Sequence, residues 1–219
     1  MKKIILTGAS DGLGKAFGML CISKGISIVS LGRSKPSYSS VHIPIDLTQQ
    51  DSINSAIEQI ENEHSDFDVL VNCAGIHSAQ PQGEIVFEDL EKLYATNILG
   101  PIYLTSRLIP LIKKNNADIL NIGSSAGTKG MENLGAYSSS KWALRGVSAN
   151  LQAELKNTPC RVIQLNPGGF KSDIYKKSNQ DIDTSKYMNP EDIAKIMLFT
   201  LELPKSVEIS EAMINRKVS

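Results

Sequence analysis

Tyr137 and Lys141 stand four residues apart, a spacing that puts a phenol and an amine on one face of a helix. The same face continues through Leu144, Ser148, Leu151 and Leu155, so a mostly apolar stripe is headed by two titratable groups. A free phenol titrates near 10, and bringing it toward neutrality takes about 4 kcal/mol of extra stabilisation of the tyrosinate. A nearby ammonium acts in that direction. The pair therefore suits proton transfer at an oxygen, as acid in one direction and base in the other. The plain alternative is a surface pair at helical spacing.

A second group suits a phosphate. Thr7-Gly8-Ala9-Ser10-Asp11-Gly12-Leu13-Gly14 joins the apolar run Ile4-Ile5-Leu6 to a segment of helical period. Three glycines let the backbone turn tightly and approach a diphosphate resting on the positive helix N-terminus. Their spacing departs from the common G-x-G-x-x-G pattern. After the next apolar run comes Gly32-Arg33-Ser34-Lys35, without a carboxylate. An acid there would hold a ribose 2′-hydroxyl, whereas an arginine suits a 2′-phosphate, so Arg33 favours NADP, with NAD the alternative.

These groups need a scaffold, and the pattern supplies one. Strands are expected at residues 4–6, 26–31, 41–45, 69–71, 119–122, 161–165 and near 207–214, with helices over 12–24, 88–114, 136–156 and from Pro190. Thr48 is expected to cap a further helix, with Asp51 in its first turn and Ile53, Ile57 and Ile60 on one face. Strands that are apolar throughout and alternate with helices imply a parallel sheet covered on both faces. The expected class is α/β, a Rossmann-type doubly wound, mostly parallel seven-stranded sheet forming a single domain over 1–219. Strand tips are where such sheets bind ligands, and the phenol and amine lie at the helix end nearest them.

Of 219 residues, 41% are hydrophobic and 21% charged, with zero formal net charge. That balance gives no reason to expect nucleic acid or an anionic membrane as partner. The apolar start at Ile4 is interrupted too early for a signal peptide, and no run approaches a bilayer span. Cys21, Cys73 and Cys160 are scattered and odd in number, which argues for a reducing, cytoplasmic setting. His42, His64 and His77 are not spaced as ligands; no metal is expected, and each reads as structural or solvated.

In order along nearly the whole chain, Thr7-Gly8 through Gly14, Asn72-Cys73-Ala74-Gly75, Asn97, Ser124, Tyr137-x-x-x-Lys141 and Pro167-Gly168 resemble the short-chain dehydrogenase/reductase family, in its single-domain branch. The resemblance implies hydride transfer between a nicotinamide and a small carbonyl or alcohol. Tyr137 would be the general acid/base, Lys141 would hold the nicotinamide ribose, and Ser124 would bind the substrate oxygen, its neighbour Ser125 being the rival. Asn97 would hold a water leading to Lys141. Cofactor contacts are implied at Gly8, Ser10, Gly12, Leu13, Gly14, Arg33, Asp46, Leu47, Asn72, Ala74, Gly75, Tyr137, Lys141, Pro167, Gly168, Phe170 and Ser172. The ending Val207-Glu208-Ile209-Ser210-Glu211 is similar to that of members acting on small hydroxy acids or carbonyls.

Pro101 bears on Asn97 independently. It has no N–H for the carbonyl four residues back, which is that of Asn97. Either that carbonyl is free for water, or Gly100-Pro101 ends the helix.

Two departures stand out. The connection from Arg33 to Val41 is too short for the usual helix, leaving the adenine side more exposed, and Lys171 to Tyr187 should form a small, mobile substrate lid. Opposite the Tyr137 stripe, Trp142, Gly146, Ala149 and Ala153 form a second face of apolar and small residues, which implies a homodimer or homotetramer packed through this helix. A nucleotide-binding regulator that keeps the fold without turnover is the rival to the enzyme, since fold alone does not imply function.

Overall fold

Seven strands form one wholly parallel sheet: β1 Lys3–Thr7, β2 Ser27–Gly32, β3 Val41–Pro44, β4 Val69–Asn72, β5 Asp118–Ile122, β6 Val162–Pro167 and β7 Glu211–Ile214, in the order β3-β2-β1-β4-β5-β6-β7. The computed structural model describes residues 1–217; Val218 and Ser219, the end of the expected domain, lie outside the described residues. Helices are α1 Gly12–Ser23, α2 Gln50–Glu63, α3 Phe87–Tyr94, α4 Gly100–Asn115, α5 Gly135–Leu155, α6 Ile174–Lys177 and α7 Pro190–Glu202. None of the described helices is long and apolar enough to cross a membrane.

The inner strands are buried on both sides, which is why they read as unbroken apolar runs. One core packs Leu13, Phe17 and Cys21 of α1 and Met197 and Leu201 of α7 against Ile4, Leu6 and Val71. The other packs Ile53, Ile57 and Ile60 of α2 and Leu104, Leu108 and Ile112 of α4 against Ile5, Leu70 and Ile119. Strand order reverses between β1 and β4, and the crevice at that switch point is where doubly wound sheets bind nucleotides.

Three local expectations change. Thr48 does not cap α2: its N–H and hydroxyl both donate to Asp46 Oδ1, at 2.9 and 2.8 Å, and Gln49 takes the N-cap position without a side-chain bond. The helix expected over 88–114 is three segments, because residues Ala95–Leu99 form a π turn in which Gly100 donates to Ala95 O five residues back. The chain stays helical through Pro101, so Gly100-Pro101 does not end it. The last strand is shorter than expected, since only Glu211–Ile214 pair with β6.

No helix joins β2 to β3. Instead Tyr38 from the connection packs into the first core beneath α1, where a Cβ on Gly18 would lie 1.9 Å from its hydroxyl oxygen. The missing helix is thus replaced by one anchored side chain.

At the opposite end of the sheet, Arg161 is buried and bonds both edges of its guanidinium. Its Nε and Nη2 donate to Asp118 Oδ2 at 3.2 and 2.7 Å, Nη2 also to Leu201 O, and Nη1 to Leu203 O and Val207 O at 3.0 Å. This ties the start of β5 to the end of α7. Arg161→Ala leaves the Asp118 carboxylate with Lys205 as its remaining cationic partner and should lower unfolding free energy by about 3 kcal/mol in urea titration.

Candidate active site

The glycine turn is built around close backbone approach. Gly8 has φ +72°, and a Cβ there would lie 2.7 Å from Ala74 Cα, while one on Gly14 would lie 2.2 Å from Gly8 O. Any side chain at either position would push the turn away from β4 or from its own helix. Thr7 locks the same junction: its Oγ1 accepts from the N–H groups of Cys73 and Ala74, both at 3.0 Å. Asp11 caps α1, accepting from Gly12 N–H at 2.7 Å. The turn is a cradle of main-chain groups at a helix start, which fits a diphosphate.

Arg33 is exposed at the tip of β2, close enough to Asp46 to help hold that carboxyl below its usual range, an effect led by the hydrogen bond from Thr48 N–H. Leu47 is buried in the second core, and the Asn72 side chain is buried too, its Nδ2 donating to Thr105 Oγ1 and Asn121 Oδ1 and its Oδ1 left without a partner, so each offers a ligand main chain. Gly75 sits beside Asn97 and Lys141: a Cβ there would lie 3.3 Å from Asn97 Oδ1 and 3.7 Å from Lys141 Nζ.

Helix α5 is fastened to the sheet by a buried polar row. Asn72 Nδ2 donates to Asn121 Oδ1 (2.9 Å), Asn121 Nδ2 to Ser148 Oγ (2.8 Å) and Ser148 Oγ to Gln164 Oε1 (2.6 Å). Gln164 Nε2 donates to Asn166 Oδ1 (2.9 Å), and Asn166 Nδ2 to Glu211 Oε1 (2.7 Å), which Arg145 of α5 also engages (2.6 Å). Ser148 lies on the stripe that Tyr137 and Lys141 head. Gly127 closes the other side, since a Cβ there would lie 2.8 Å from Lys141 O.

The phenol of Tyr137 lies close enough to the Ser124 hydroxyl for that group to influence its titration, and the same hydroxyl accepts from Ala126 N–H at 3.1 Å. Ser125 lies instead on the Gly168 side. Lys141 is buried, donates from Nζ to Ile122 O at 3.0 Å, and stands 5.9 Å from the centre of the Tyr137 ring. Burial lowers its amine to about 8 and raises the phenol above its usual value, against the smaller opposing effect of Ser124. The expected help from the ammonium is not among the causes of the phenol's shift, since the amine points at a carbonyl.

Asn97 lies in the π turn, a feature that recurs at functional positions. Its Oδ1 accepts from Ile76 N–H (2.9 Å) and its Nδ2 donates to Ile76 O (3.0 Å), a two-point clamp on the strand β4 exit. Neither the clamp nor the polar row was readable from motif spacing, because both use residues whose sequence neighbours are ordinary.

The segment after β6 lies over this site. Gly168 N–H donates to Ile214 O (2.8 Å), Phe170 pairs with Met188, and Ser172 Oγ sits 3.0 Å from where a Cβ on Gly12 would be. Lys177 of α6 forms an ion pair with Asp11. Thus the expected lid rests on the glycine turn itself. His77 packs its ring on Tyr137 and bonds Ser178 of this segment. The apolar face of α5 that was expected to be covered is open in one chain, with Trp142 45% exposed.

A family model described as short chain dehydrogenase matches residues 2–183. The chain belongs to this family. Among curated relatives, the NADP-dependent 3-hydroxy acid dehydrogenase of Schizosaccharomyces pombe is 30% identical, over 97% of this chain and 92% of its own. An uncharacterized oxidoreductase of Staphylococcus saprophyticus is 26% identical, over 97% and 96%. Among solved structures, a closed form of serine dehydrogenase with NADP+ superposes with TM-score 0.88 at 24% identity, covering 97% of this chain and 94% of its own. An alcohol dehydrogenase of Thermococcus sibiricus complexed with 5-hydroxy-NADP gives 0.88 at 23% identity, over 99% and 97%. These likenesses extend the family's fold over the tips of the sheet where the site lies.

The buried amine has a consequence for stability. Its folded value of about 8 lies below the ordinary 10.5, so between those pH values the unfolded chain binds more protons and this group makes stability rise with pH. Lys141→Met should raise unfolding free energy at pH 7 by about 2 kcal/mol and flatten that rise, read by urea titration at pH 7 and 9.5.

Proposed function

We propose that this protein is an NADP-dependent oxidoreductase that passes hydride between the nicotinamide and a small carbonyl or alcohol, with Tyr137 handling the proton. The observation that carries it is the placing of the Tyr137 phenol close enough to the Ser124 hydroxyl to feel it, beside Lys141 and next to a glycine cradle with the right backbone approach. The bound cofactor would supply or accept the hydride. Everything else falls to side chains of this chain.

Ser124 would hold the substrate oxygen and steady its growing negative charge. Tyr137 would donate its proton to that oxygen in reduction, and its raised value suits this direction, because it keeps the phenol protonated at neutral pH. Lys141 would turn from Ile122 O toward the nicotinamide ribose, with Asn97 and a water behind it. In this reading Gly8, Ser10, Gly12, Leu13 and Gly14 take the diphosphate and Arg33 the 2′-phosphate. Asp46 and Leu47 would meet the adenine. Asn72, Ala74, Gly75, Pro167, Gly168, Phe170 and Ser172 would surround the nicotinamide half. The NADP-dependent relative and the NADP-bound structures support the cofactor. The relative's name also supports a hydroxy acid or its 3-oxo partner as one substrate class to try. A cytoplasmic homodimer or homotetramer, packed through Trp142, Gly146, Ala149 and Ala153, completes the reading.

Turnover is followed as NADPH oxidation over ketones, aldehydes and 3-oxo acids. Tyr137→Phe should keep NADPH binding and lower kcat about 10²–10⁴-fold. Unchanged turnover in that variant would refute the proton role, and NADPH binding without turnover in the wild type would support a nucleotide-binding regulator. Arg33→Ala should raise the KM for NADPH about tenfold while leaving that for NADH within about twofold. Light scattering at micromolar concentration should give at least a dimer, and a monomer would remove the assembly from the reading.

A further inference from the structure

His77 lies just beyond the β4 exit that Asn97 clamps. Its ring centre is 4.7 Å from that of Tyr137 and 5.3 Å from that of Tyr175, in the segment that covers the site. Tyr175 in turn meets Tyr187 edge-on at 5.7 Å, and the Arg216 guanidinium covers Tyr187 at 5.4 Å. The imidazole is therefore the part of this aromatic wall that touches the phenol.

Its tautomer follows from one serine. His77 Nδ1 is 3.2 Å from Ser178 Oγ, and Ser178 Oγ is 2.9 Å from Tyr175 O. A hydroxyl has one proton to give and a carbonyl can only accept, so Ser178 gives its proton to Tyr175 and receives one from His77. Nδ1 is thus the protonated nitrogen. Burial lowers the imidazole to about 4, so at neutral pH the ring carries this single proton and no charge. Nε2 is left as a lone pair on the part of the ring farthest from the main chain. No described residue donates to it, and it is not sealed from solvent.

We propose that His77 Nε2 determines substrate specificity, selecting carbonyl compounds that carry a hydroxyl or ammonium group on the carbon next to the reacting one. The proposal rests on the oxidoreductase reading above. A substrate oxygen held at Tyr137 and Ser124 puts the adjacent carbon beside the ring that packs on Tyr137. A donor on that carbon satisfies the lone pair, whereas a hydrocarbon strips its water and offers nothing in return. A site with a fixed polar partner discriminates strongly against the analogue that lacks it.

The test uses matched pairs with NADPH: 2-butanone against 1-hydroxy-2-butanone, and cyclohexanone against 2-hydroxycyclohexanone. The ratio of kcat/KM within each pair is read for the wild type and three variants. His77→Phe keeps a ring on Tyr137 but has no acceptor, and should cut the hydroxy-to-plain ratio about tenfold. His77→Gln, whose amide oxygen reaches the Nε2 position, should recover part of the ratio, while His77→Asn, which reaches only as far as Nδ1, should not. Rescue by Gln but not Asn separates recognition from packing. An unchanged ratio in His77→Phe, or equal ratios in the Gln and Asn variants, would overturn the proposal while leaving the oxidoreductase reading intact. A wild type that binds NADPH and reduces none of the four ketones would count against both readings.

Discussion

The depth and rotation of helix α5 are the constraint on which the site depends. Tyr137 and Lys141 can serve one centre only if their helix is held at a fixed height over the ends of β5 and β6. Apolar packing does not set this alone, because a helix can slide or rotate by fractions of a residue across a greasy surface. The buried row from Asn72 to Asn166 does. Each amide in it has donors and acceptors in fixed directions, and Ser148 sits in the row as both donor and acceptor. A small shift of α5 would break bonds that no water could replace. The row uses glutamine and asparagine inside a parallel sheet, where apolar residues would be the easier choice, and its return is geometric definition.

The same helix carries a cost in the other direction. Lys141 is enclosed with one carbonyl as its partner, and Tyr137 is held in its protonated form by the same enclosure. Both side chains are held against their environment rather than relaxed in it. The π turn at Asn97 is a related concession. It widens the helix at the point where a side chain must reach across to Ile76, at the expense of regular helical bonding.

Much of the fold was legible because strand and helix signals here are strong. Continuous apolar runs such as Val69-Leu70-Val71 and the stripe of Ile53, Ile57 and Ile60 have one physical reading, and the sheet adopts it. The glycine turn and the Tyr137–Lys141 face were legible because each is local in sequence. What escaped was set by contacts between distant residues. Thr48 looked like a helix cap, but Asp46 competes for its donors. His77 has neighbours with no ligand spacing, and its place beside Tyr137 follows from folding a loop of 60 residues' separation onto α5. Lys177 and Asp11 meet across most of the chain. The Asn121–Ser148–Gln164 bonds likewise join residues whose types suggest only ordinary polarity.

Tyr38 has a wider meaning for how this chain is put together. A crossover between parallel neighbours ordinarily brings its own helix, which shields the sheet's outer margin with several side chains. Here that margin relies on a single aromatic plug seated over Gly18, backed by the Ser30 hydroxyl bonding to Val41 O. If the plug is withdrawn, β3 keeps its ladder to β2 and its contact with α2, while β2 beside it loses cover on the α1 side. The border strand can then peel away while the centre of the sheet stays intact, which makes this corner the natural first step of disassembly.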